Sequence, residues 1–77
     1  MNISFRQIEA FRLVFQTGSM TTAAKLMLVS QPAVSRLIKD LEATTGLSLF
    51  KRTGTGITAT YDAVLLYSEV ERSFLGL

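Results

Sequence analysis

The four residues Val29-Ser30-Gln31-Pro32 constrain the fold of this chain more than any other feature. They stop one helix and start the next with almost no chain between. Ser30 has the side chain of a helix N-cap, whose oxygen accepts a hydrogen bond from a backbone N–H of the first turn. Pro32 falls in that first turn, where its missing N–H has no intrahelical partner to lose and its fixed φ suits the helix. Similar punctuation recurs along the sequence. Ser4 can cap a helix over residues 5 to about 16, and Gln7 three residues later completes a capping box. Ile3 and Ile8 are placed for a hydrophobic staple across that cap, and Ile8, Phe11 and Phe15 form an apolar stripe. Gly18 ends the helix in a left-handed conformation. Ser19 caps a second helix over residues 20 to about 28, and a third runs from 31 to about 45 and stops at Gly46. Ala23 and Ala24 in the second helix are small enough for a neighbouring helix to approach closely; plain helix propensity is the other reason to find them there.

Leu47-Ser48-Leu49-Phe50-Lys51-Arg52 and Ile57-Thr58-Ala59 are β-prone runs flanking Thr53-Gly54-Thr55-Gly56, which reads as a hairpin. A tight hairpin after three helices is a wing. Thr60 can cap a last helix over residues 61 to about 76. Along it Ala63, Tyr67, Val70, Phe74 and Leu77 are spaced four, three, four and three, as a seam between two lengthwise-packed helices requires. The expectation is that this stripe joins two copies of the chain, with Leu65 and Leu66 left for the core. Packing of the stripe on the chain's own core is the competing assignment.

With 77 residues there is room for one domain, and a domain of that size buries only about 60% of its unfolded surface. At 48% hydrophobic and 18% charged the chain is globular rather than disordered. It has no cysteine and no histidine, so it lacks a disulfide framework, thiolate chemistry and the commonest general base and metal ligand. There is no glycine-rich phosphate loop and the carboxylates are scattered, which argues against an enzyme. Glu69 and Glu71, two positions apart, fall on different sides of the last helix and read as solvated charges. No stretch approaches the roughly 18 apolar residues of a membrane span, and the start does not resemble a signal peptide. The expectation is a soluble cytoplasmic protein without a membrane partner. Net charge is only +2, but it is uneven. Residues 25–52 hold five cations and two carboxylates, whereas the rest holds three cations and four carboxylates. A basic middle is the footprint of a polyanion-binding surface.

The third helix shows where that surface lies. At about 100° per residue from Gln31, Val34, Leu37, Ile38, Leu41 and Thr45 fall between roughly 240° and 340°. Gln31, Ser35, Lys39, Pro32 and Arg36 fall between roughly 0° and 140°. The first set is a core face; the second presents an amide, a hydroxyl and two cations near the helix N-terminus. Such groups suit the DNA major groove, where glutamine pairs with adenine and arginine with guanine, and a proline ring can lie against a thymine methyl. Ser35 can contact a base or phosphate, while Lys39, a turn further along, is placed for phosphate. A solvated polar face is the plainer alternative, and Glu42 on the same side fits it, since a carboxylate there would repel phosphate.

The run GSMTTAAKLMLVSQPAVSRLI over residues 18–38, with Leu41-Glu42, Gly46, Leu49-Phe50 and Arg52 downstream, resembles the N-terminal region of LysR-type transcriptional regulators. The resemblance covers essentially the whole chain. It implies a mainly α fold, a winged helix-turn-helix with a three-helix core, a β-hairpin wing and a long C-terminal linker helix. Residues 1–59 would form the DNA-binding domain, with the helix-turn-helix over about 19–38 and the wing over about 49–59, and residues 60–77 the linker and dimerisation helix. Base-reading positions carry over to Gln31, Pro32, Ser35 and Arg36. Phosphate contacts carry over to Met20, Thr21, Thr22, Arg52 and Thr53; Ser30, Lys39 and Thr55 are added on position and chemistry. The family resemblance further implies a homodimer, or a tetramer of the full-length protein, on inverted-repeat double-stranded DNA. It implies no cofactor in this domain and a separate effector-binding domain absent from these 77 residues. The ending from Glu69 to Leu77 resembles the branch that responds to lysine or opines, which makes an amino acid or opine the expected effector. Two departures stand out. Ala59-Thr60-Tyr61-Asp62-Ala63 replaces the family's common Leu-Thr and following glycine, and Thr55 stands at the wing tip where many members carry arginine. A protein-interaction module on the same scaffold is the rival function.

Overall fold

The computed structural model describes residues 2–75, with side chains as far as Ser73. Three helices, α1 (Phe5–Thr17), α2 (Met20–Met27) and α3 (Gln31–Thr45), lead into the hairpin strands β1 (Phe50–Thr53) and β2 (Gly56–Ala59) and then helix α4 (Tyr61–Leu75). Local capping chemistry sets these boundaries. The Ser4 hydroxyl accepts from Gln7 N, and Gln7 Oε1 accepts from Ser4 N, so the capping box is closed in both directions. Ser19 accepts from Thr22 N and Ser30 from Ala33 N. Gly18 and Gly46 end α1 and α3 at φ 69° and 75°, a region where glycine carries no Cβ penalty.

α2 stops one residue short of expectation. Leu28 takes the left-handed conformation at φ 61°, which costs a residue with a Cβ about 1 kcal/mol or more. The Leu28 N–H is donated to Ala24 O and Lys25 O, and Val29 N bonds to Ala24 O at 3.1 Å. These bonds satisfy the carbonyls at the helix end, and they turn the chain within two residues so that α3 can start at Gln31.

The core lies among the helices. α1 contributes Ala10, Phe11 and Val14, α2 Ala23, Ala24 and Met27, and α3 Val34, Ile38 and Leu41. Leu49 and two residues of α4, Ala63 and Val70, complete it. The alanine pair of α2 is buried, as a close helix crossing requires. Phe11 is the hub: its ring centroid lies 6.0 Å from Phe15, 5.8 Å from Phe50 and 6.4 Å from Tyr67. It therefore joins α1 to the base of the wing and to α4. Complete burial of such a side chain contributes on the order of 1.5–3 kcal/mol.

β1 and β2 pair antiparallel, Phe50 opposite Ala59 and Thr53 opposite Gly56, with Gly54 and Thr55 as the turn. The strand is shorter than the β-prone run: Leu47, Ser48 and Leu49 form an ordered connection instead. Thr60 caps α4, its Oγ1 accepting from Ala63 N at 3.1 Å and donating to Ser48 O. The cap thus survives the departure from the family's sequence, and Ala63 fits fully buried where the family commonly has glycine.

Part of the stripe expected to join two copies is taken up by the chain's own core. Ala63 and Val70 are buried in the chain's own core, and Tyr67 packs against it. The Tyr67 ring stacks on Phe15 at 4.1 Å and 10°, and its hydroxyl accepts from Gln16 Nε2 at 2.9 Å. Arg12 Nε and Glu71 Oε1 add an ion pair at 2.8 Å between α1 and α4, so Glu71 is a partner of α1 and not a solvated charge. Glu69 pairs with Arg72 on the surface. The physical reason is that α1 presents Phe15 and Arg12, which Tyr67 and Glu71 on this side of α4 meet. The outward side of α4 instead carries Tyr61, Val64 and Leu65, 75%, 46% and 49% exposed. The Phe74 side chain and Leu77 lie outside the described residues.

Candidate nucleic-acid interface

The outward face of α3 begins where its caps place it. Ser30 holds the first turn, and burial of Val34, Ile38 and Leu41 fixes the rotation of the helix. The opposite side then faces outward: Pro32, Arg36 and Lys39 are exposed, and Gln31 and Ser35 partly so. Gln31, Pro32, Ser35, Arg36 and Lys39 line one open concavity, and Arg52 reaches its edge from β1. The four expected base-reading residues are therefore neighbours on one surface, with two cations beside them. The N-terminal end of α3 adds the positive end of a helix dipole, which favours phosphate nearby. Asp40 also borders the concavity, and its charge opposes phosphate at that edge.

A smaller cleft continues from this surface. Met20 at the start of α2, Ser35, Lys39, Arg52 and Ile57 line it together with Glu42 and Phe50. It links the beginning of α2, the middle of α3 and the wing. The other expected phosphate contacts line neither concavity. Thr21 and Thr22 are exposed on the first turn of α2, and Thr53 and Thr55 are exposed at the wing tip. The Ser30 hydroxyl accepts the Ala33 N–H as a cap, and its own O–H proton is still available to a phosphate oxygen.

Glu42 has a role that its position on the helix wheel does not show. Its carboxylate turns toward the chain that follows α3 and accepts the Leu49 N–H through Oε2 at 2.7 Å. It is half-buried, so the plainer alternative of a solvated carboxylate does not describe it. The signal that finds it is the backbone requirement, because a buried N–H ahead of a short strand needs an acceptor. Among the described residues no buried side-chain polar atom is left without a partner.

Comparison with known proteins agrees with this geometry. The chain is 57% identical over 75 residues to the octopine catabolism/uptake operon regulatory protein OccR of Rhizobium meliloti, covering 97% of this chain and 25% of that protein. It is 53% identical over the same length to the regulatory protein NocR of Agrobacterium fabrum, again covering 97% and 25%. The chain thus spans about a quarter of the length of these curated relatives. The solved structure of the CbnR DNA-binding domain in complex with DNA superposes with a TM-score of 0.86 at 35% identity, covering 92% of this chain and 82% of that one. Residues 5–63, from the start of α1 into α4, match the sequence pattern described as bacterial regulatory helix-turn-helix protein, lysR family, and the chain belongs to that family of transcription regulators.

Proposed function

We propose that this chain binds double-stranded DNA in a sequence-specific way as the DNA-binding part of a cytoplasmic transcription regulator. The observation that carries this is the single outward surface formed by Gln31, Pro32, Ser35, Arg36 and Lys39 with Arg52 beside it. α3 enters the major groove with Gln31, Pro32, Ser35 and Arg36 toward the base edges. Lys39, Arg52, Thr53, Thr55, Ser30 and the first turn of α2 contact the phosphates on either side. Residues 1–59 carry these contacts, and α4 leads toward the remainder of a longer protein, as the quarter-length coverage of the relatives suggests.

One such helix reads too few base pairs for a unique site, so two copies act together. The apolar outward side of α4 (Tyr61, Val64, Leu65) supports a homodimer through that helix, since the core takes up Ala63 and Val70 of the expected stripe. In the longer protein a tetramer can form from such dimers. The small-molecule effector acts outside this domain, and the similarity to a regulator of octopine catabolism and uptake supports an amino acid or opine.

Selection from a random-sequence duplex library tests the reading. The expected product is an inverted repeat whose half-sites lie about one helical turn, or a multiple of it, apart. Affinity for it falls steeply as salt rises, because bound counterions are released from the phosphates. Failure to enrich any sequence, together with flat salt dependence, would contradict DNA binding and leave the α3 face as a protein-docking surface.

A further inference from the structure

The connection between α3 and the wing is held by a set of hydrogen bonds that centre on Glu42. Three backbone N–H groups after α3 turn back to the helix. Gly46 N bonds to Glu42 O at 2.8 Å, Leu47 N to Thr45 Oγ1 at 3.2 Å, and Leu49 N to Glu42 Oε2 at 2.7 Å. Leu49 is fastened on its other sides too. Its side chain is fully buried, and its carbonyl accepts Thr60 N at 2.9 Å. Its neighbour Ser48 accepts the Thr60 hydroxyl. β1 begins at the next residue, Phe50, and carries Arg52 two positions on.

We infer that Glu42 is a positioning residue for DNA binding, setting the angle of the wing against α3 and so the place of Arg52 beside the base-reading face. The inference rests on the proposed DNA-binding function. Among the described residues the sheet is this one hairpin, with no further strand beside it. Phe50, Ile57 and Ala59 pack it against the core, and at its base Glu42 holds the entry to β1 while Thr60 holds the exit from β2. A charged acceptor suits the task, since a carboxylate binds a backbone N–H about twice as strongly as a neutral group does. The same bond turns the negative charge of Glu42 toward the protein backbone, although the residue lies on the side of α3 that carries Lys39 and Ser35.

The test is a salt titration of binding to a mixed-sequence duplex, which needs no knowledge of the operator. The wild-type chain, Glu42→Ala, Glu42→Gln, Arg52→Ala and the double variant Glu42→Ala/Arg52→Ala are compared, with folding checked by circular dichroism. Removing one phosphate contact lowers the slope of log affinity against log salt by about 1. We expect that loss in Arg52→Ala and in Glu42→Ala, and no further loss in the double variant, because both remove the same contact. Glu42→Gln keeps an acceptor for Leu49 N and retains the wild-type slope. A wild-type slope in folded Glu42→Ala, losses that add in the double variant, or a Glu42→Gln slope as low as that of alanine would each overturn the inference. If alanine at 42 unfolds the chain, Glu42→Met replaces it, and hydrogen exchange at the Leu49 amide gives a second readout. That amide should be protected in the wild type and in Glu42→Gln; rapid exchange in the wild type would overturn the tether. Absence of salt-dependent binding by the wild type is a different result, which refutes the DNA-binding function itself.

Discussion

α3 and α4 are both 15-residue helices whose first turns are capped by a hydroxyl side chain, yet they end in opposite situations. α3 buries Val34, Ile38 and Leu41 and shows solvent an amide, a hydroxyl and cations. α4 buries Ala63 and Val70 but still shows solvent Tyr61, Val64 and Leu65. A helix with one apolar side has only one way to sit on a core. A helix with two apolar sides has two, and what lies opposite decides between them. For α4 that was α1, whose Phe15 and Arg12 match Tyr67 and Glu71. The outward chemistry then separates the functions: α3 suits a polyanion, and α4 suits another protein surface.

Substitutions can break this contrast. The largest effect belongs to the inward side of α3, where Leu41→Ala should lower the free energy of unfolding by about 2–5 kcal/mol, measured by urea denaturation. Retention of full stability would mean that α3 is not anchored as described. Ala63→Leu discriminates between the two sides of α4. In a fully buried site the added bulk should destabilise the chain by about 1–3 kcal/mol, whereas at a seam between two helices leucine would strengthen self-association. On the outward side, Leu65→Asp should weaken self-association about tenfold or more, roughly 1.4 kcal/mol, in sedimentation equilibrium while leaving the unfolding midpoint of the monomer unchanged. Loss of monomer stability would return Leu65 to the core.

What the sequence made legible follows the same division. Caps are local, so Ser4 with Gln7, Ser19, Ser30, Thr60, Gly18 and Gly46 could be assigned from a few neighbouring residues. The orientation of α3 was also legible, because its apolar residues leave only one arrangement. Contacts between distant residues were not. The Phe15–Tyr67 stack and the Arg12–Glu71 pair join residues more than fifty positions apart. The four-three spacing in α4 describes a helix side, but it cannot say what that side meets. Leu28 shows a different limit: a left-handed leucine contradicts local preference and is held by bonds to Ala24 and Lys25. Glu42 lay hidden because its partner is a backbone N–H seven residues away, and side-chain patterning does not register backbone needs.

The central claim is that the outward side of α3 reads bases, with Gln31, Pro32, Ser35 and Arg36 at the edges and Lys39 on phosphate. Binding of Arg36→Ala and Lys39→Ala to the selected inverted repeat and to a scrambled duplex, at one salt concentration, tests it most directly. Arg36→Ala should cost about 1–3 kcal/mol on the repeat and much less on the scrambled duplex, with relaxed preference at one base position per half-site. Lys39→Ala should weaken both by the same factor. Equal weakening of both duplexes by Arg36→Ala would make Arg36 a phosphate contact and contradict the claim.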